Sequence, residues 1–126
     1  MITADIIPTE EAEQRTFVQY LQLRHLKHFR VPNETYTKSR MQHYKNKVLG
    51  VSAGVPDLFV IVNGRLIAVE MKRIKGSVTS PAQIEWLKSL NDAGVPSRVC
   101  KGASAAIAFV EEVEKLHARN TIQDVV

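Results

Sequence analysis

The chain has 126 residues, 44% hydrophobic and 24% charged, a balance that suits one globular domain and argues against disorder over most of its length. Its 17 Lys and Arg against 13 Asp and Glu leave a formal net charge of +4, which favours a polyanionic partner. No apolar run approaches the roughly 20 residues of a membrane helix, and a lone cysteine, Cys100, excludes an intrachain disulfide and a cysteine-built zinc cluster.

The first residues, Met-Ile-Thr-Ala-Asp, lack the basic start and apolar block of a signal peptide, so a cytoplasmic location is the expectation. Thr9 is placed to cap a helix beginning near Glu10, with Phe17, Leu21 and the stretch from Leu23 to Leu26 at roughly helical spacing. This helix is expected to end before Pro32. His25 and His28 would share its surface at i, i+3, but no further ligand accompanies them, and a zinc site is not expected. Residues 33–54 are polar, basic and glycine-containing, and read as a short strand plus a loop.

The clearest local signal follows. Val55-Pro-Asp-Leu-Phe-Val-Ile-Val62 is strand-like, Asn63-Gly64 is the preferred two-residue hairpin turn, and Arg65-Leu-Ile-Ala-Val-Glu-Met-Lys72 is the return strand. Both strands are apolar on both faces, which places the hairpin at the centre of a sheet with layers on either side. Ser80-Pro81 opens a helix running to about Asn91, closed by Gly94. Pro96 to Cys100 is a further short strand, in which Cys100 reads as a small buried hydrophobe. Ala103 to about Ala118 is a last helix, with His117 a favourable charge near its C-terminus. The expectation is a single domain over 1–126, with a core at about 9–118 and a short tail at 119–126. The class is α/β, in the order αβββαβα, a central mixed β-sheet flanked by helices.

A two-residue turn at Asn63-Gly64 pairs Val62 with Arg65. Counting back along both strands sets Asp57 opposite Glu70, with Cβ atoms about 4.5–5.5 Å apart. Two carboxylates so placed repel, and burial adds to the cost, so a shared proton or a cation must offset it. Lys72 lies two residues beyond Glu70 and hence on the same strand face. One ammonium helps; two carboxylates with open coordination sites suit a hard divalent ion, Mg²⁺ or Mn²⁺ rather than zinc. The competing reading is a solvated, salt-bridged hairpin end.

Pro56-Asp57 followed by Glu70-Met71-Lys72 on adjacent strands resembles the signature of the PD-(D/E)xK nuclease superfamily, with its restriction-endonuclease-like core. The surroundings narrow the resemblance. Pro32-Asn33-Glu34, the glycine-bearing Gly50-Val-Ser-Ala-Gly54 before Val55-Pro56-Asp57-Leu58, the Glu-x-Lys, and Ser80-Pro81-Ala82-Gln83 with Trp86 look like the VRR-NUC family. That family includes short stand-alone proteins, often phage-encoded, and nuclease modules of larger DNA-repair enzymes. The resemblance spans roughly residues 9–110. It implies that Asp57, Glu70 and the backbone carbonyl of Met71 hold the metal, that Lys72 orients or activates the attacking water, and that Gln83 supports the site. Ser80-x-x-Gln83 is equally a capping box. It also implies a glutamate from the first helix as a catalytic and metal-binding group. Glu10 fits best, since it shares a helix face with Gln14, while Glu11 and Glu13 compete and all three suit a first helical turn in any case.

Lys38, Arg40, Lys45 and Lys47, with Tyr36, His43 and Tyr44 among them, form a basic stretch before the hairpin, and Arg73 and Lys75 follow it. These are the candidate DNA-binding residues. Lys101 and Ser104 could add a phosphate contact at the start of the last helix. The expected reaction is Mg²⁺- or Mn²⁺-dependent hydrolysis of phosphodiester bonds in branched DNA, similar to that of Holliday junction resolvases and carried out by a homodimer on a four-way junction. A flap or restriction-type endonuclease on the same fold, a binding module that no longer cuts, and an unrelated α/β interaction domain are the alternatives.

Overall fold

Local chemistry sets where each element starts. In the computed structural model, which describes residues 6–32 and 39–125 (117–125 as backbone only), Thr9 Oγ1 accepts the Ala12 N–H at 3.1 Å and opens helix α1, Glu10–Leu23. Three glutamates, Glu10, Glu11 and Glu13, occupy its first turn. Phe17 and Leu21, one turn apart, are its fully buried residues. The helix stops well short of Pro32, at a turn in which His25 takes φ 55°. Strand β1, His28–Arg30, follows, then α2, Arg40–Val48.

The remaining elements are strands β2, Leu58–Val62, and β3, Arg65–Lys72, helix α3, Pro81–Asp92, strand β4, Ser97–Lys101, and helix α4, Ala103–Val125. The sheet order is β1-β2-β3-β4. The first two pairings are antiparallel, and β3 with β4 is parallel, which requires the crossover that α3 supplies. The mixed sheet with flanking helices is therefore the expected class, and the hairpin holds its two central positions. Asn63 and Gly64 both adopt positive φ, 50° and 77°, as a tight twisted hairpin turn demands. Val62 pairs with Arg65 and Leu58 with Val69, the register read from the sequence.

One face of the sheet carries Leu58, Val60, Val62, Ile67, Val69, Met71 and Cys100 against Phe17 and Leu21 of α1 and Ala106, Phe109, Val110 and Val113 of α4. The Cys100 thiol lies in this layer, and burial pushes its pKa up to about 11. No residue of α3 enters that core; α3 lies against β4.

Three expectations need correction. Residues 40–48 form a helix, capped by Ser39 Oγ accepting the Gln42 N–H at 3.1 Å, where a strand and loop were expected. None of its residues is buried, so no apolar periodicity marked it in the sequence. The first strand lies earlier, at 28–30, so His25 sits in the turn after α1 and His28 on β1, where the sequence had put both on α1, and His28 Nδ1 is 2.8 Å from the Leu26 carbonyl oxygen. The backbone of α4 runs to Val125, which makes 119–125 helix instead of tail and places position 117 inside the helix rather than near its end.

Candidate active site

Asp57 precedes β2 by one residue and Glu70 lies near the end of β3. Extending the ladder past the Leu58–Val69 pair brings the two together. The entry of Asp57 is fixed at three points. Its Oδ2 accepts the Met71 backbone N–H at 3.0 Å. Its carbonyl accepts the Val31 N–H at 2.8 Å, tying it to the end of β1. Upstream, the loop leading to Pro56 is pressed onto α3: Gly54 has φ +88°, and a Cβ there would lie 2.6 Å from the Ala82 carbonyl carbon. Trp86 Nε1 donates to Ser52 Oγ at 3.3 Å on the same contact.

Glu70 is almost completely buried, at 1% exposure, beside Asp57. Burial, a hydrogen bond to Asp57 and the negative charge of Asp57 push its pKa up to about 9, while the Lys72 ammonium opposes the shift and Glu10 adds a little to it. Glu70 Oε2 is buried without a hydrogen-bond partner. An orphaned carboxylate oxygen beside a second carboxylate is costly unless a proton or a cation is supplied. Lys72 is likewise buried, on the same strand face as Glu70.

The three glutamates of α1 separate cleanly. Glu11 pairs with Arg15 at 3.0 Å on the exposed surface. Glu13 Oε1 accepts the Ala103 N–H at 3.1 Å and so caps α4 from another element. Glu10 turns toward the acid pair: burial first, then the charge of Asp57, raises its pKa, and Lys72 pulls it back. Glu10 and Asp57 line one groove of about 710 Å³ between α1 and β1. Among the described residues no three or more His, Cys, Asp or Glu side chains close into a ligand set. The candidate centre is the Asp57–Glu70 pair, whose charges Glu10 feels and adds to. Two oxygen donors, one of them orphaned, fit a hard divalent cation.

The sequence matches the VRR-NUC domain model over residues 2–104. The chain belongs to the VRR-NUC family. That family is one of nucleases, so the coarse activity follows from membership. Comparison with curated protein sequences gives no match. A solved structure described as a VRR_NUC domain protein superposes with a TM-score of 0.73 at 24% identity, over 88% of this chain and 92% of that one. At that identity the likeness speaks for the fold, a restriction-endonuclease-like core.

Around the centre of this VRR-NUC domain, the remaining candidates are distributed unevenly. Gln83 completes the capping box of α3: its Oε1 accepts the Ser80 N–H at 2.8 Å while its own N–H donates to Ser80 Oγ at 3.2 Å. Met71 presents its N–H to Asp57, which holds its peptide against the acid pair. Arg40 opens α2, and Lys45 and Lys47 stand in its last turn, all exposed. Arg73, just beyond β3, has a buried Nε without a partner, and Lys75 is exposed nearby in sequence. Lys38, Tyr36, Asn33 and Glu34 lie outside the described residues. The α4 N-terminus, considered for phosphate with Lys101 and Ser104, is already occupied by the Glu13 carboxylate. Arg30, in the groove with Asp57, was missed by sequence reasoning. A strand of three residues offers too little alternation to reveal which way its side chains face.

Proposed function

We propose that this chain is a Mg²⁺- or Mn²⁺-dependent endonuclease that hydrolyses phosphodiester bonds in branched DNA, acting as a homodimer on four-way junctions in the cytoplasm, that of the bacterial host if the chain is phage-encoded. The observation that carries the reading is the pairing of half-buried Asp57 with buried Glu70, with an orphaned oxygen on Glu70 and the Lys72 ammonium beside it.

Asp57 and Glu70 would hold the cation, joined by the Met71 carbonyl and with Glu10 at the edge. When bound, the cation supplies positive charge to the phosphoryl oxygens and lowers the pKa of water. Lys72 steadies negative charge that develops on the phosphate and orients the attacking water, from a position already desolvated by the sheet. Gln83, through its cap, fixes the start of α3 beside the loop that delivers Asp57. Arg40, Lys45, Lys47, Arg73 and Lys75, with Lys38, supply the phosphate contacts that orient the duplex arms. A two-fold pair of chains would present two such centres to a two-fold junction.

The test is a panel of labelled duplex, flap, splayed and four-way DNA incubated with Mn²⁺, with cuts mapped and Asp57→Ala run alongside. Paired, symmetric cuts on the four-way substrate alone are expected, absent in the variant. Preferred cutting of flaps or plain duplex would replace the junction assignment. No cutting of any substrate, with no metal binding, would remove the nuclease reading.

A further inference from the structure

The groove that contains Glu10 and Asp57 extends well beyond them. One wall is the face of α1 through Gln14, Gln19 and Gln22, and the other carries Arg30 at the end of β1. From Glu10 to Gln22 the helix advances about 18 Å, close to five phosphate spacings of a stacked strand. Its charged side chains are Glu10, Glu11 and Asp57 against Arg15 and Arg30, one negative charge in excess. Glu11 and Arg15 neutralise each other at 3.0 Å. Arg30 is exposed and forms no ion pair among the described residues. Its backbone is nonetheless fixed relative to the acid pair, because Val31 N–H donates to the Asp57 carbonyl and Arg30 pairs with Leu58 in the sheet.

A surface that grips duplex DNA needs several cations spread over two phosphate rows. This groove has the Glu10 and Asp57 carboxylates at its acid end, and beyond them one uncommitted guanidinium and a row of neutral amides. Amides give and accept hydrogen bonds with base edges and sugars, and a single Arg fits one phosphate by its planar fork. We propose that the α1–β1 groove is a binding site for a single nucleic-acid strand that leads into the Asp57–Glu70 centre, and that Arg30 is its phosphate contact. Arg30 is thus a positioning residue, setting which phosphate arrives at the acids. The assignment rests on the nuclease reading for its direction toward the centre, but not for strand binding itself.

The experiment measures binding of a labelled oligothymidylate and of a blunt duplex, in metal-free buffer over a range of salt, for the parent chain, Arg30→Gln and Arg30→Lys. Arg30→Gln should weaken oligothymidylate binding on the order of tenfold and reduce the slope of log K against log salt by about 0.7, the loss of one phosphate contact on a single strand. Duplex binding should change less than twofold, and Arg30→Lys, which keeps the charge but not the fork, should recover the salt slope and part of the affinity. Unchanged oligothymidylate binding in Arg30→Gln, equal loss on both probes, or no recovery of the salt slope with lysine would overturn the proposal. Cleavage by the parent chain in Mn²⁺ is followed separately. If it cuts while Arg30→Gln binds normally, the groove assignment alone fails. If it binds the strand through Arg30 but never cuts, the nuclease reading alone fails.

Discussion

Strand β3 has two faces that are equally buried and chemically opposed. Ile67, Val69 and Met71 point into the α1–α4 core, and Ala68, Glu70 and Lys72 point the other way, yet all six are at 9% exposure or less. The apolar face stabilises by transfer from water, about 1.5–3 kcal/mol for each large side chain. The ionic face cannot do so: a carboxyl with an orphaned oxygen is a cost to the fold. The difference teaches that burial on β3 serves two ends. One face holds the sheet together, and the other keeps an acid and an ammonium dry where their charges act strongly.

The sharpest way to break this comparison is to exchange the consequences of adjacent residues. Lys72→Met should cut the cleavage rate by 10²–10³-fold while leaving DNA affinity within a few-fold and the fold intact. Met71→Ala, one residue earlier, should do the reverse: about 2–5 kcal/mol of unfolding free energy lost, with activity per folded molecule largely kept. Denaturant melts and single-turnover rates on the two variants check both halves. If Lys72→Met cleaves at the parent rate, Lys72 has no catalytic part in the reaction.

The second prediction concerns pH. The Glu70 carboxyl is raised from an ordinary 4.5 to about 9 by burial and by Asp57. Below the ordinary value both folded and unfolded chains hold the proton, and stability is at its fullest. As pH climbs from about 4.5 toward 9, the unfolded chain releases a proton that the folded chain retains, so stability falls and then levels off. Metal-free protein should therefore melt lower at alkaline than at mildly acidic pH. Glu70→Gln should flatten that dependence and melt above the parent at the alkaline end. Mn²⁺ at about a hundred times its Kd should restore roughly 2.7 kcal/mol, on the order of 5–15 °C in melting temperature, and should bind more tightly as pH rises. In Glu70→Gln the metal-induced rise should largely vanish. A parent melting temperature indifferent to pH and to Mn²⁺ would mean that the pair holds neither proton nor cation as described.

Much of this arrangement is legible in the sequence. The hairpin register follows from one turn dipeptide, because a two-residue loop leaves a single pairing and the strand period of two then fixes the face of every residue. Asp57, Glu70 and Lys72 come together on that ground alone. The segment between Pro32 and Gly50 was opaque for the opposite reason. Helix α2 buries nothing, so its start at Ser39 left no hydrophobic period to find. Strand β1 is three residues long and owes its existence to β2 beside it. Arg30 was hidden with it. The three glutamates of α1 were all compatible with a first helical turn, and only the position of α4 in space tells Glu13 from Glu10.

Those two glutamates, three residues apart on one helix, restate the division of β3 on a smaller scale, and their substitution gives the smallest and most discriminating expected effects. Glu13 accepts the Ala103 N–H, an α4 donor that has no partner within its own helix, and its other oxygen would lie 3.1 Å from a Cβ on Gly102. Its removal should cost what a lost helix cap costs, about 0.5–2 kcal/mol, and should leave the cleavage rate of the folded protein unchanged. Among the described residues Glu10 makes no such bond; its carboxyl feels Asp57 and Lys72. Glu10→Gln removes a negative charge that raises Glu70 and so should leave stability within about 0.5 kcal/mol, or slightly higher, while lowering the cleavage rate at limiting Mn²⁺. Denaturant melts and metal-titrated rates on Glu10→Gln and Glu13→Ala settle the matter as a pair. If Glu13→Ala weakens the Mn²⁺ response and Glu10→Gln weakens the fold, the two roles have been assigned the wrong way round, and with them the position of the acid centre at the mouth of the groove.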